Sequence, residues 1–198
     1  MIGPFEADGD QTPLTHEERE GLIPTHVTLR SELNELEQRN IAAADRWVFS
    51  RRRPVLDDSF LRNLHRRMFG EVWKWAGAYR KTSRNIGIEA HLVETALRQA
   101  VADARYWVEN RTFDPDELAL RFAHRIVQIH PFPNGNGRWS RLVGDLLVVQ
   151  HGAPHRGRRF TWGRMSLQSP GDTRKAYIAA LRAADEHDIG PLLAFARS

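Results

Sequence analysis

The sequence predicts an all-α helical bundle carrying one small β-hairpin. Apolar residues recur at three- or four-residue spacing through most of the 198-residue chain, with Pro, Gly and Asp breaks between the stripes. Only Val72 to His91 is short, polar and rich in turn residues, the pattern of a hairpin rather than a helix. The best apolar run, Leu142 to Val149, is interrupted by Gly144 and Asp145 and is too short to span a bilayer.

Each element follows from local chemistry. Residues 1–13 are poor in apolar side chains and rich in Gly, Asp and Pro, a disordered composition. Thr15 can cap a short helix over about 15–21, with Glu17 and Glu18 at its positive end, Gly21 as a stop and Pro24 as a break. A long helix runs from Thr28 to Arg53 on a stripe of Leu29, Leu33, Leu36, Ala43, Trp47 and Val48, and Pro54 ends it. A second runs from about Asp58 to Phe69, capped by Asp57 or Asp58 and closed by Gly70. The hairpin segment holds Trp73, Trp75, Gly77 and Tyr79, then a turn region at Asn85–Gly87. Helices resume from about Leu92 to Asn110. Asp114-Pro115 caps and starts the next, whose stripe of Leu118, Phe122, Ile126 and Ile129 delivers His130 at its C-terminal end. Gly137 opens a helix to about Gln150, and further helices run from about Asp172 to Glu186 and from about Ile189 to the end. The expected organisation is an N-terminal extension over 1–54, holding the short helix and the long one, and a core domain over 55–198.

Composition bounds the function. The chain has no cysteine, which excludes disulfides, thiolate nucleophiles and cysteine metal sites. The acidic N-terminus, lacking an apolar core, does not read as a signal peptide, so a cytoplasmic location is expected. A net charge of +4, supplied mainly by arginine, favours an anionic ligand over a purely solvated basic surface only once a site is found. Trp73, Trp75 and Trp107 are expected in the core. Arg156, Arg158, Arg159 and Arg164 make a basic loop, expected as solvated surface. His151 and His155 have HxxxH spacing, but Gly152 and Pro154 break the helix that would align them on zinc.

The stretch from His130 to Arg141 carries the chemistry. Gly135-Asn136-Gly137 can turn sharply, aim successive amides at one anion and open a helix whose N-terminus favours phosphate. Arg138 and Arg141 lie three residues apart on one helical face, with guanidinium forks that suit phosphate oxygens. The plain structural alternative is a glycine helix start with two surface arginines. His130 is a candidate general base, or a histidine that bonds the last carbonyls of its helix. Phe132 is expected to pin the loop to the core.

These residues resemble the signature of the Fic (filamentation induced by cAMP) family, HxFx[DE]GNGRxxR, matched at His130, Phe132, Gly135, Asn136, Gly137, Arg138 and Arg141. Trp75 to Arg80 with Ile86-Gly87, and Tyr177 to Leu181 with Asp185, Asp188, Pro191-Leu192 and Phe195, resemble flanking parts of that family. Glu20 to His26 and the Pro-Asn form of the loop further resemble the bacterial subgroup called mobile mystery protein B. The resemblance implies a Fic-type bundle and transfer of AMP from ATP to a Ser, Thr or Tyr hydroxyl of a target protein. His130 would take the proton, Gly135, Asn136 and Gly137 would hold the phosphates, and Arg138 and Arg141 would pair with the β- and γ-phosphates. Arg84, Asn85, Ile86, Gly87 and Ile88 would form a flap that docks the target as an added strand.

One position departs from the family: Asn134 stands where Asp or Glu usually holds Mg²⁺. One neutral carbonyl oxygen makes Asn134 a weaker metal candidate. Glu20, followed by Gly21, resembles the glutamate of an inhibitory helix and is expected to pair with Arg141; failing that, a separate antitoxin or helix-turn-helix companion would restrain the enzyme. A homo-oligomer is compatible with the resemblance, and nucleic acid is not an expected partner. The alternatives are transfer of another nucleotide or of phosphate, or a catalytically weak module that binds nucleotide or nucleic acid. The family's kinase-like branch has Ala-Asn-Lys where this chain has Gly135-Asn136-Gly137.

Overall fold

A computed structural model describes residues 14–151, 158–164 and 170–198. Its elements are α1 (His16–Arg19), α2 (Arg30–Phe49), α3 (Asp58–Phe69), a 3₁₀ turn (Ala90–Leu92), α4 (Val93–Asn110), α5 (Pro115–Ile129), α6 (Asn136–His151), α7 (Pro170–Asp185) and α8 (Gly190–Arg197). The central pair is α5 and α6; α4 flanks α5, α2 packs on α3, and α7 packs on α8. Helix α5 buries Leu118, Ala119, Leu120, Phe122, Ala123, Ile126 and Ile129, so it is covered nearly all round. The loop carrying the motif is the short connection between the two most central helices, which fixes both its ends.

Helix ends obey local rules. Asp57 accepts the Phe60 amide at 2.8 Å and Gly70 follows the last residue of α3. Thr15 and Glu18 form a reciprocal capping box at α1. The extension is not separate from the core: Leu14, Val27, Leu33, Ala44 and Val48 join the same apolar cluster as Leu61, Phe122 and Val143. Residues 21–23 lie against 72–74, through Lys74 N to Gly21 O at 2.8 Å, Ile23 N to Val72 O at 2.9 Å and an isolated antiparallel bridge between Leu22 and Trp73.

Several expectations are corrected. No β-hairpin forms among the described residues, because the guanidinium of Arg80 takes the carbonyls that a cross-strand ladder would use. It donates to the Thr82 carbonyl at 2.9 Å and also to that of Ile88, holding 81–88 as an irregular loop. The buried stripe of α2 is Leu33, Glu37, Asn40, Ala44 and Val48, so two polar side chains lie on its inner face. Of the basic loop, Arg158 and Arg164 are exposed, but Arg159 is clasped between Asp45 at 2.7 Å and Asp145 at 3.0 Å; Arg156 and His155 lie outside the described residues, as do residues 1–13. Trp73 is in the core, while Trp75 and Trp107 are half-buried against it. No described helix is long and apolar enough to cross a membrane.

Candidate active site

Helix α5 ends at His130, whose backbone is left-handed with φ 55° and ψ 60°. That reversal turns the chain into the loop while the amide of His130 still bonds the Ile126 carbonyl at 3.3 Å. The Val127 carbonyl beside the imidazole favours its protonated form, but not enough to offset burial. Burial, with help from the nearby Arg80 and Arg84, pushes the pKa of His130 down to about 4. At neutral pH the ring is therefore uncharged and competent to accept a proton.

Below His130 the loop is built on aromatic packing. Phe132 is fully buried, stacked on His65 at 3.7 Å between centroids and edge-on to Trp139 at 5.0 Å. His65 accepts the Gly77 amide at Nδ1 (3.0 Å), so Nε2 carries the proton it donates to the Asn134 carbonyl at 3.0 Å. Burial drives the pKa of His65 down to about 3, which keeps that tautomer neutral. Gly135 has φ +81°, and a Cβ there would come within 2.6 Å of the Phe69 ring.

Asn136 locks the loop from inside. Its Oδ1 accepts the Phe132 amide at 2.9 Å and its Nδ2 donates to the Phe132 carbonyl at 2.8 Å. That side chain is thus occupied within the loop, and the backbone amide of Asn136, in the first turn of α6, is what can face an anion. Beside it, a Cβ on Gly137 would meet nothing within 4 Å. The open space there is part of a cavity of ≈ 1330 Å³ that His130, Asn134, Gly137, Arg138 and Arg141 all line.

The two arginines are held differently. Arg138 Nη1 donates to Glu37 Oε2 at 2.6 Å, and Glu37 is itself buried and fixed by the indole of Trp73 at 2.7 Å. Arg141 lies over the ring of Tyr177, 5.0 Å from its centroid, and no carboxylate pairs with it among the described residues. Glu20 does not reach it: that carboxylate is 69 % exposed and pairs with His16 at 3.4 Å. The short α1 directs Glu18, not Glu20, inward. Sequence reasoning missed Glu37; its one signal is a carboxylate on the apolar face of a long helix.

The opposite wall is the 81–88 loop. Asn85, Ile86 and Gly87 line the cavity, whereas Arg84 and Ile88 stand behind them. A Cβ on Gly87, with φ +87°, would lie 2.5 Å from Cβ of His130, so this backbone rests directly on the histidine. Arg80, also missed, joins the two walls: its Nε donates to the His130 carbonyl at 2.6 Å and its amide to the Pro131 carbonyl at 2.9 Å.

A model of the Fic/DOC family matches residues 55–148, which carry His65, Arg80, the 81–88 loop and the stretch from His130 to Arg141 but not Glu37 or Tyr177. That stretch is a Fic/DOC family domain. The chain is similar to Protein adenylyltransferase fic-1 of Caenorhabditis briggsae, 28% identical over 136 residues, covering 67% of this chain and 25% of the relative. It is likewise similar to Protein adenylyltransferase Fic of Drosophila melanogaster, 30% identical over 138 residues, with 67% and 25% covered. The chain thus spans about a quarter of the length of these relatives. Among solved structures, BepC from Bartonella tribocorum with bound AMPPNP superimposes with a TM-score of 0.67 at 16% identity, covering 92% of this chain and 97% of that one. Fic-1 from C. elegans gives 0.62 at 22% identity, covering 90% and 50%. Both likenesses show the fold.

The Fic domain offers little to a resident metal. Asn134 turns its side-chain oxygen back onto the Gly135 amide at 2.6 Å, and Glu37 is taken by Arg138. No group of three His, Cys, Asp or Glu side chains able to hold an ion occurs among the described residues. One engaged amide oxygen does not fit a protein-held Mg²⁺ site.

Proposed function

We propose that this Fic domain is a protein adenylyltransferase, moving AMP from ATP to a Ser, Thr or Tyr hydroxyl. One observation carries the reading: a half-buried, neutral His130 shares a cavity with the open N-terminus of α6 and with both motif arginines. His130 takes the hydroxyl proton as the oxygen attacks the α-phosphorus. The new bond is O–Pα, the bond broken joins Pα to the bridging oxygen, and pyrophosphate leaves. The amides of Asn136 and Gly137 face the developing charge, Arg141 pairs with one end of the polyphosphate, and Arg138 pairs with the phosphate nearer the turn. Any Mg²⁺ arrives with the triphosphate, which supplies most of its ligands.

The target is a protein laid along Asn85–Gly87. In this reading residues 55–198 are the catalytic core, 1–54 the regulatory extension, and the chain a cytoplasmic bacterial protein of the mobile mystery protein B type, with an antitoxin or helix-turn-helix companion as partner. The restraint expected of Glu20 falls to Glu37, which competes with phosphate for Arg138.

The test is incubation of the full chain and His130→Ala with labelled ATP, Mg²⁺ and a bacterial lysate, followed by mass spectrometry of labelled proteins. A gain of AMP that requires His130 supports the proposal. A gain of phosphate, or label independent of His130, overturns it.

A further inference from the structure

The 81–88 loop is tied at its base from within the core and at its shoulder from outside it. Arg80 holds the Thr82 and Ile88 carbonyls, and Ser83 Oγ donates to Glu89 Oε2 at 2.5 Å while accepting the Ala90 amide at 3.2 Å. The remaining tie is long-range. The Arg84 guanidinium is ion-paired with Glu18, and the two side chains are only 8% and 13% exposed.

Glu18 is itself held firmly. Its Oε2 accepts the Thr15 amide at 2.8 Å, leaving Oε1 for Arg84. Its carbonyl accepts the Trp75 indole at 3.0 Å, and residues 21–23 are bonded to 72–74. A helix as short as His16–Arg19 would not persist alone, so its place depends on these ties. Stranding one partner of a pair this buried is costly, unlike breaking the exposed His16–Glu20 pair on the same helix.

We propose that Glu18 and Arg84 form a latch through which residues 14–23 set the position of the flap over His130. Arg84 directly precedes Asn85, Ile86 and Gly87, which face the cavity, and Gly87 rests on the histidine. Glu18 is therefore a positioning residue: it acts on the docking edge through Arg84 and touches neither nucleotide nor reacting atoms. Whatever peels residues 14–23 from 72–75 also frees the shoulder of the flap. The docking role rests on the adenylyltransferase reading, but the latch does not.

Limited proteolysis of the full chain by thermolysin, without ligand, separates the two. Glu18→Gln and Arg84→Gln should each speed cleavage before Ile86 or Ile88 by about tenfold or more, with amide exchange in α5 unchanged. The reversed pair, Glu18→Arg with Arg84→Glu, should restore part of the protection, which loss of packing alone would not. Wild-type cleavage of 82–88 in both single variants, accelerated exchange in α5, or no recovery in the reversed pair overturns the latch. None of these readouts requires catalysis, so absence of AMP transfer would sink the proposed function and leave the latch standing.

Discussion

The loop from His130 to Arg141 and the flap from Lys81 to Ile88 face each other across one histidine, yet they are held in opposite ways. The loop supports itself: Asn136 brackets Phe132, Asn134 caps Gly135, and Phe132 is buried among His65, Tyr79 and Trp139. The flap has no core of its own. Ile86 at its tip is 42% exposed, and its shape comes from Arg80 beneath and Glu18 beside it. The groups proposed to meet a phosphate, which would need placing within tenths of an ångström, sit on the rigid side. The edge proposed to receive a variable protein chain sits on the side whose position other segments can adjust.

Removing the loop's anchor should break the rigid half. Phe132→Ala is expected to cost about 3–5 kcal/mol in urea-unfolding free energy, because a fully buried ring leaves a cavity under the site. A cost below about 1 kcal/mol would show that the loop is not founded on that ring.

Acid should also weaken this half first. His65 and His130 have pKa values lowered in the folded state to about 3 and about 4. The unfolded chain takes up those protons once pH falls below roughly 6.5, so the stability they confer is fully present above that pH and is lost on acidification toward pH 4. Unfolding free energy should drop by a few kcal/mol between about pH 7 and pH 4.5, and replacing His65 by Asn should flatten the slope.

The contact between the halves is sharpened by Gly87→Ala. A methyl group meeting His130 at 2.5 Å, on a backbone at φ +87°, should cost about 1–3 kcal/mol locally. The expected reading is a lower transfer rate with the α5 amides still protected from exchange; an unaltered rate would deny that the flap backbone bears on the histidine. The smallest effect is expected at Glu37→Gln, which keeps an acceptor for Trp73 while removing charge from Arg138. Self-modification should rise by a few-fold, equivalent to about 1 kcal/mol. Activity unchanged or reduced would make Glu37 a support for the arginine rather than a restraint on it.

What could be read from the chain follows the same division. Helix α3 was legible to its ends, since Asp57 and Gly70 act within one turn of their own sequence. The motif loop was legible because its residues are contiguous and bond one another. Helix α2 was placed, and Leu33, Leu36, Trp47 and Val48 of its stripe pack inward, but Glu37 and Asn40 are buried beside them: the Trp73 indole, far along the chain, satisfies Glu37, and no local pattern announces that. The hairpin failed for a related reason, a single arginine side chain standing in for a strand's hydrogen bonds. Glu20 was chosen over Glu18 on local resemblance, whereas the direction each points on so short a helix is set by Arg84 across the fold.

The bracket that Asn136 forms around Phe132 also governs how the protein ages. Asn134-Gly135-Asn136-Gly137 places two asparagines before glycines, the pairing in which a backbone nitrogen most readily attacks the side-chain amide and releases ammonia. In the folded chain the amide of Asn136 is buried and bonded on both atoms, out of reach of that attack. Each unfolding exposes it, and the aspartate that results would meet the Phe132 carbonyl with a second acceptor instead of a donor. Molecules cycled through denaturant should therefore accumulate deamidation at Asn136 in a loop that refolds poorly, detectable by peptide mass spectrometry, while molecules kept folded for the same time stay intact at that residue.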